Sequence, residues 1–378
     1  MTSTGQPLDE TSARVALAVL RHGPVSRADL CRRLGLSAPT LTRLTGPMVA
    51  SGLLVEGGPL ATSGTGRPSL PLVVAGASGH LVGVKVVPGR LHAVLLDLTA
   101  TVIDRRTVDG TWSTPEDAVH AIAAVTRDWA DRPLKGLGVS LAATVVGEQT
   151  SPSELLGWPA SPLAGLLRQA TGLPVVVDND VFALTVAEHW FGLGRDTRDL
   201  AVVTIGAGLG IGLVSDDELL HGHTGRPGRL GALRLADGRL ARDVLTTAAV
   251  AGRLSKVLGS PVPDRDVDEA LGEPGALAVR RDVSVALAEV VGQIVELFDP
   301  QRVVIAGEGV AWLEGVHEPL PELGSQAGRV TEVVIAEHGF DDWAHGAGCL
   351  AIREYMTRWV TGPRRTWGYR RPPRRVSW

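Results

Sequence analysis

Apolar residues follow helical spacing in three short bursts near the start of the chain. They are Val15, Leu17 and Leu20, then Leu30 and Leu34, then Leu41, Leu44, Met48 and Val49. This spacing predicts three helices. Ser26, with Asp29 three residues later, predicts a capping box at the start of the second helix, and Ser37 similarly precedes the third. Gly35 lies between these two helices, where a tight turn needs positive φ.

The three helices predict a helix-turn-helix. If Leu41 and Leu44 face the core, the other side of the third helix is exposed, and it carries Ser37, Pro39, Thr40, Thr42 and Arg43. Short hydroxyls and a guanidinium suit phosphates and base edges in a major groove. The predicted DNA contacts are this set together with Ser26 and Arg27. A small helical interaction domain without DNA contact is the alternative.

Two features follow the DNA-facing turns of the third helix. Gly46-Pro47 predicts that the helix kinks or ends near Thr45, because Pro lacks a backbone donor and clashes with the preceding turn. Further on, Gly52–Glu56 and Leu70–Val74 predict two short strands around a Gly-rich loop, which together form a wing. Arg67 in this loop is predicted to enter the minor groove.

Beyond Ala75, β-rich apolar runs alternate with amphipathic segments. Strands are predicted at Leu81–Val87, Leu91–Leu96, Gly136–Leu141, Val175–Val177, Leu200–Ile205, Ile211–Val214, Val303–Ala306 and near Val333–Ile335. Helices are predicted at Pro115–Ala130, Phe182–Trp190, Ala241–Leu258, Ala276–Phe298 and from Gly346. The alternation predicts an α/β body in two similar halves.

Glycines are dense between two of these strands, at Gly206, Gly208, Gly210 and Gly212. Because the run leads from strand to strand, it predicts a hairpin rather than the strand-to-helix turn of a dinucleotide fold. Backbone N–H groups in such a loop can bind a phosphate. On this stretch alone, a bare turn is the simpler explanation.

A second polar cluster, Asp178-Asn179-Asp180, ends a buried strand. Either aspartate could cap the helix that follows. Asp180 could instead act as a base toward a substrate hydroxyl, as carboxylates do in phosphoryl transfer.

Composition and charge narrow the class of protein. The chain has 378 residues, 44% of them hydrophobic, and only two cysteines, so a disulfide framework and a multi-Cys metal site are excluded. Residues 1–75 carry seven basic and four acidic residues, and residues 359–378 carry six arginines and no acid. Since the formal net charge is −4, an acidic body lies between two basic ends that could bind a polyanion. A polar start and the lack of a membrane-spanning run predict a cytoplasmic protein.

The order of winged helix, Gly-Arg-Pro wing and two-lobed α/β body resembles the ROK family of repressors and sugar kinases. The segments that carry the resemblance are His22–Leu30, Leu34–Ser37, Gly66–Pro68, Asn179–Asp180, Gly206–Gly212 and Asp299–Gly309. It implies an N-terminal winged helix-turn-helix followed by a ribonuclease-H-like body of the actin and hexokinase type. It also implies that Asn179 binds the ligand, that Asp180 is a vestige of the catalytic base, and that the glycine run matches a phosphate loop.

Departures from the family pattern are concentrated in its catalytic motifs. The first phosphate loop, G-x-D-x-G-G-T-K, aligns with Gly83–Arg90, where Lys85 replaces the Asp and Val87 and Pro88 replace paired glycines. The family's cysteine-rich zinc motif falls near Leu235–Val244, where no cysteine occurs. The resemblance therefore implies that ATP transfer and the structural zinc are lost, and we expect no cofactor, no metal and no catalytic residue.

The sugar-binding motif A-G-E-x-G-H falls on Pro227–Ala232, with Arg229 in place of the Glu and Ala232 in place of the His. Arg229 favours an anionic ligand, because a guanidinium binds a carboxylate or phosphate bidentately. It could equally pair with a nearby acid and fill the pocket. Asn179, Asp180 and Arg229 are the predicted effector ligands.

We therefore expect a transcriptional regulator, a repressor of carbohydrate-related genes, whose partners are an operator in double-stranded DNA, a sugar or anionic sugar derivative, and a second copy of the chain. The predicted domains are a winged helix-turn-helix at 1–60, the wing and linker at 61–76, the ROK body at 77–358 and a basic, disordered tail at 359–378. Two alternatives stay open. One is a sugar kinase with Asp180 as base, and the other is a regulator that answers to a protein partner.

Overall fold

The computed structural model describes residues 10–58, 70–223, 230–314, 330–336 and 339–361. The chain folds into two compact units. The first is Met1–Asn179 with Ala344–Trp378, and the second is Asp180–Trp343. Within the described residues, no helix is both long enough and apolar enough to cross a membrane.

The described residues form helices and strands that alternate along the body, as the sequence predicts. The helices are α1 (Glu10–His22), α2 (Arg27–Leu34), α3 (Ala38–Ala50), α4 (Pro115–Asp128), α5 (Leu163–Thr171), α6 (Asp180–Trp190), α7 (Arg242–Leu245), α8 (Thr247–Leu258), α9 (Val267–Ala270), α10 (Leu277–Phe298) and α11 (Phe340–Thr361). The strands are β1 (Leu54–Glu56), β2 (Leu72–Val74), β3 (His80–Val87), β4 (Arg90–Asp97), β5 (Val102–Asp109), β6 (Leu134–Leu141), β7 (Val145–Val146), β8 (Gln149–Thr150), β9 (Val175–Asn179), β10 (Leu200–Ile205), β11 (Leu209–Ser215), β12 (Glu218–Leu219), β13 (Arg302–Ala306) and β14 (Glu332–Ile335).

Helices α1–α3 form the predicted three-helix arrangement. The Ser26 hydroxyl accepts a hydrogen bond from the backbone N–H of Asp29 at 3.1 Å, and Ser37 accepts one from Thr40 at 3.4 Å. Gly35 has φ +65°, the left-handed conformation predicted for the turn. Strands β1 and β2 pair antiparallel. The two N-caps, the turn and the paired strands are confirmed. The predicted capping box is wrong, because the Asp29 carboxylate accepts a hydrogen bond from the Ser26 hydroxyl and not from the Ser26 backbone N–H.

The sequence predicts that the third helix kinks or ends near Thr45, but the helix does not end there. Helix α3 continues through Gly46 and Pro47 to Ala50. Because Gly46 and Pro47 are both exposed, water can hydrate the carbonyl that Pro47 deprives of a helical donor.

The first unit contains a five-stranded sheet in the order β5-β4-β3-β6-β9. Strands β3, β4 and β5 are antiparallel, while β6 and β9 continue the sheet in parallel. Side chains from α4 and α5 pack with alternate residues of the strands in one apolar core. The residues in between, on the other face, meet α11 from Ala344 onward, so the sheet is covered on both faces.

Contact between α11 and this sheet depends on two glycines. A Cβ added to Gly138 would lie 2.6 Å from the carbonyl carbon of Ala347 and closer still to its oxygen. A Cβ added to Gly83 would lie 2.6 Å from the backbone nitrogen of Gly348. The helix backbone therefore lies directly on the strand backbone at both positions, and no larger residue fits.

The second unit repeats the same strand arrangement, with the order β12-β11-β10-β13-β14. Strands β10 and β11 form an antiparallel hairpin, and β13 and β14 run parallel to β10. Helices α8 and α10 contribute the main apolar core of this unit. The two sheets share one topology, which confirms the predicted pair of similar halves.

Several predicted elements need correction. The single helix at Ala241–Leu258 is two helices, because Thr246 is extended (φ −109°, ψ 152°) and the N–H of Thr247 donates to the Gly206 carbonyl at 2.8 Å. The last helix begins at Phe340 rather than Gly346. Strand β5 and helix α5 were not predicted. The side chains of β5 are largely exposed, so they lack the apolar pattern of a buried strand.

Candidate nucleic-acid interface and effector-binding body

Helix α3 presents a polar face opposite its buried leucines. Leu41 and Leu44 are at most 1% exposed. Of the side chains predicted for the outer face, Thr40 is half-buried and the others are exposed. The exposed ones are Ser37, Pro39, Thr42 and Arg43. The face therefore offers hydroxyl oxygens and one guanidinium, groups that bind phosphates and base edges.

Hydrogen bonds within α3 orient these hydroxyls. The oxygens of Ser37 and Thr40 lie 2.9 Å apart, and the Thr42 hydroxyl donates to the Ala38 carbonyl at 3.0 Å. Each hydroxyl oxygen keeps acceptor capacity in this arrangement. Three of the hydroxyls on this face thus make hydrogen bonds within the helix and its N-cap.

Ser26 and Arg27 both bind carboxylates of the first unit through their side chains. The Ser26 hydroxyl donates to the Asp29 carboxylate at 2.6 Å. Arg27 Nη2 donates to Glu56 Oε1 at 2.8 Å, which ties the start of α2 to β1. Because a guanidinium has five donors, Arg27 can keep this ion pair and still bind a phosphate.

Two predicted ligands lie outside the described residues. Arg67 falls in the segment 59–69, and Arg229 falls in the segment 224–229. The basic tail beyond Thr361 also lies outside them. Contacts by these residues stay predictions.

The polar cluster at the end of β9 is divided between the two units. Asn179 belongs to the first unit, where its Nδ2 donates to the Ala143 carbonyl at 3.1 Å. Asp180 is the first residue of α6, and its Oδ1 accepts a hydrogen bond from the backbone N–H of Val181 at 2.9 Å. Asp178 accepts from the N–H of Asn179 at 2.8 Å. Both carboxylates thus receive backbone donors at the strand-to-helix junction.

A row of buried polar residues crosses the sheet of the first unit. Lys85 on β3 lies opposite His92 on β4 and Ser140 on β6, and Ser140 lies opposite Asp178 on β9. All four are at most 9% exposed. Lys85 and Asp178 stand out in the sequence, but the row they belong to does not, because register across strands is set by long-range pairing.

The glycine run in the second unit is a hairpin, as predicted. Ile205 pairs with Leu209, so Gly206, Ala207 and Gly208 form the turn. A Cβ on Gly206 would lie 3.0 Å from the carboxyl carbon of Glu308, and closer to one of its oxygens. Glu308 lies just after β13 and was not predicted as a site residue. Its position between Gly307 and Gly309 is the one signal in the sequence that could have indicated it. Its carboxylate places negative charge beside the turn that could bind a phosphate.

The described residues form a helix-turn-helix followed by the paired strands β1 and β2, and a body with two copies of one sheet topology. The chain belongs to the ROK family, whose family model matches residues 82–354. A model of the MarR family matches residues 7–59, which include all three N-terminal helices.

Individual relatives agree with this assignment. The chain is similar to the xylose repressor of Caldicellulosiruptor bescii, with 24% identity over 374 residues that cover 89% of this chain and 94% of the repressor. In fold it matches a ROK family transcriptional regulator homologous to Escherichia coli Mlc, with a TM-score of 0.75 and 20% identity over 93% and 96% of the two chains. It also matches the ROK family glucokinase of Streptomyces griseus, with a TM-score of 0.58 and 23% identity over 72% of this chain and 99% of the kinase.

Proposed function

We propose that this chain is a transcriptional repressor of carbohydrate-related genes that binds an operator through α3 and responds to a small molecule bound by its body. The observation that carries the proposal is the outer face of α3, where ordered hydroxyls and Arg43 lie opposite a closed leucine core. A relative named a xylose repressor supports the carbohydrate class.

Ser37, Pro39, Thr40, Thr42 and Arg43 are the proposed groove contacts. Ser37 caps α3 and is exposed together with Pro39, and recognition helices contact bases through their first turns. Arg27 is proposed as a phosphate contact at the start of α2, and Arg67 as a minor-groove contact. Two copies of the chain would bind half-sites about one helical turn, or a multiple of it, apart.

The proposed effector is a sugar or an anionic sugar derivative, with Asn179, Asp180 and Arg229 as its ligands. Effector binding can change DNA affinity only if the effector binds the DNA-competent and the incompetent forms with different affinity. Calorimetric or thermal-shift screening of neutral, acidic and phosphorylated sugars tests this part. A body that no small molecule stabilises would favour the protein-partner alternative.

The kinase alternative is disfavoured by charges at both phosphate-binding positions. Lys85 stands where the first phosphate loop has an Asp, and it is 3% exposed. Glu308 places a carboxylate against Gly206 in the second loop. We propose that Asp180 is a vestigial residue and that the body binds ligand without transferring phosphate. A coupled assay in which the wild type phosphorylates a sugar and Asp180→Asn does not would restore the kinase.

Fluorescence anisotropy tests the DNA-binding proposal, with DNA fragments taken from the region upstream of the gene that encodes this chain. We expect sequence-selective binding relative to scrambled DNA, with affinity falling as salt rises because phosphate contacts release counterions. Arg43→Ala should weaken specific binding about tenfold or more, since one guanidinium contact to a base contributes roughly 1–3 kcal/mol. Arg265→Ala is the matched control, because it removes an exposed guanidinium from the second unit. Equal binding to both DNAs, unchanged by Arg43→Ala, would contradict the proposal.

Glu308→Gln tests the proposed charge block in the second unit. Removing one unit of negative charge beside a phosphate lowers the repulsion by about 1 kcal/mol at an exposed position, so ATP should bind about fivefold more tightly than to the wild type. The measurement is titration calorimetry with Mg-ATP. Glu273→Gln, at another exposed position of the same unit, should bind ATP as the wild type does. Identical affinities in all three proteins would show that Glu308 does not control the site.

A further inference from the structure

A short turn in the second unit occupies the place where the family's cysteine-rich zinc motif is expected. Its backbone closes on itself, because the N–H of Leu235 donates to the Arg239 carbonyl at 2.8 Å and that of Ala241 donates to Leu233 at 2.9 Å. We call residues 233–241 the Leu233 turn. Its far end leads directly into α7.

The residues present do not fit a zinc ion. Structural zinc needs four ligands, in most sites cysteines or histidines, and residues 235–244 contain neither. Their carboxylates are Asp237 and Asp243, and Asp237 accepts a hydrogen bond from Arg239 Nε at 2.6 Å. Within the described residues, no group of three or more His, Cys, Asp or Glu side chains could hold a metal ion.

An ion-pair cluster is present instead. Arg239 donates through both terminal nitrogens to the two carboxylate oxygens of Asp282 on α10, each at 2.7 Å. Arg253 on α8 lies 2.5 Å from the same carboxylate. With Asp237, these residues form what we call the Asp282 cluster. Two arginines and two aspartates balance its charge.

Geometry and burial distinguish this cluster from an ordinary surface pair. The bidentate contact fixes the plane of the guanidinium as well as its distance. The side chains of Asp282 and Arg253 are 29% and 22% exposed, and Arg253 Nη1 is buried. The hydrogen bond from Arg239 to Asp282 also holds the pKa of the Asp282 carboxyl below its ordinary value. Asp282 is therefore charged at neutral pH.

We propose that the Asp282 cluster does in this chain the cross-linking that a structural zinc ion would do, so that the Leu233 turn is fastened to α8 and α10 without metal. One carboxylate joins three segments: the turn through Arg239, α8 through Arg253 and α10 through its own backbone. A second contact adds to it, since the N–H of Ala236 donates to the Glu289 carboxylate on α10 at 2.8 Å.

The cluster also bears on the glycine hairpin. The chain runs from Ala241 through the four residues of α7 to Thr247, whose N–H binds the Gly206 carbonyl. If the Leu233 turn were displaced, the backbone N–H of Thr247 would move with it. The cluster therefore holds one side of the hairpin in place, in addition to closing the turn.

Asp282→Asn in the full chain tests the proposal by two readouts. We expect the melting temperature to fall by about 4 °C, because two guanidinium groups lose their shared charge partner. We also expect trypsin to cleave after Arg234, Arg239 or Arg242 about tenfold faster, since local opening exposes the turn. EDTA should leave the wild-type melting temperature unchanged, and elemental analysis should find no stoichiometric zinc.

Asp266→Asn is the matched control, because it removes a more exposed aspartate whose Arg265 partner lies 3.5 Å away in the same unit. It should match the wild type in both readouts. If Asp282→Asn does not fold, Arg239→Lys keeps the charge and removes the bidentate contact, and it should give a smaller shift of the same sign. Zinc that EDTA removes with a fall in melting temperature would overturn the proposal. So would an Asp282→Asn protein that behaves like the control. Neither readout involves DNA.

Discussion

Gly138→Ala is expected to lower the melting temperature of the first unit by about 10 °C. The added methyl would lie 2.6 Å from the carbonyl carbon of Ala347, so α11 must move away from β6. Overpacking a core costs roughly 1–3 kcal/mol when side chains can yield, and here the obstacle is backbone, so we expect about 3 kcal/mol or more. Thermal unfolding followed by circular dichroism measures the shift.

The control for this prediction is Gly252→Ala in α8. No atom lies within 4 Å of a Cβ at Gly252, and the residue is inside a helix. Alanine there should raise stability by roughly 0.5–1 kcal/mol, because it restricts the unfolded chain more than glycine does. If both variants melted like the wild type, the backbone contact between α11 and β6 would be wrong.

Two neighbouring substitutions in α3 should weaken DNA binding for different reasons. Leu44 is 1% exposed in the helical core, so Leu44→Ala should cost about 2–5 kcal/mol and loosen the three-helix domain. Arg43 is exposed, so Arg43→Ala should weaken DNA binding while the helices keep their stability. The measurements are anisotropy on operator DNA together with amide hydrogen exchange across residues 10–58.

The exchange measurement separates the two faces of the helix. We expect protection factors to fall in Leu44→Ala and to stay at wild-type values in Arg43→Ala. Thr126→Ala, in α4, should affect neither DNA binding nor exchange in α1–α3. Loss of protection in Arg43→Ala would mean that this residue stabilises the helix, and its role in DNA binding would need another test.

Much of the helix-turn-helix could be predicted because its determinants are local. Ser26, Ser37 and Gly35 act within three or four residues of their own positions, so the sequence alone indicates where α2 and α3 begin and where the turn lies. The repeated sheet was predicted for a similar reason, since its buried strands are continuous apolar runs. Local pattern was sufficient for these features.

Other features depend on partners distant in sequence. Thr246 interrupts a helical pattern because Gly206 provides a carbonyl acceptor to the next residue, and no periodicity reveals that bond. Glu308 reaches the glycine hairpin only after β13 has paired with β10. The Asp282 cluster joins segments tens of residues apart. Register and tertiary contact decide such sites, so sequence reasoning found the elements but not these pairings.

Packing of α11 onto Gly83 and Gly138 has a consequence for the order in which the chain is made. Synthesis delivers α1–α3 first, and their contacts are local, so they can close as soon as they leave the ribosome. The sheet of the first unit follows them in the chain, and its second face is covered only after α11 has been synthesised. During that interval the growing polypeptide would carry a folded three-helix domain while one face of the following sheet is still uncovered, and this apolar face is what a chaperone would bind.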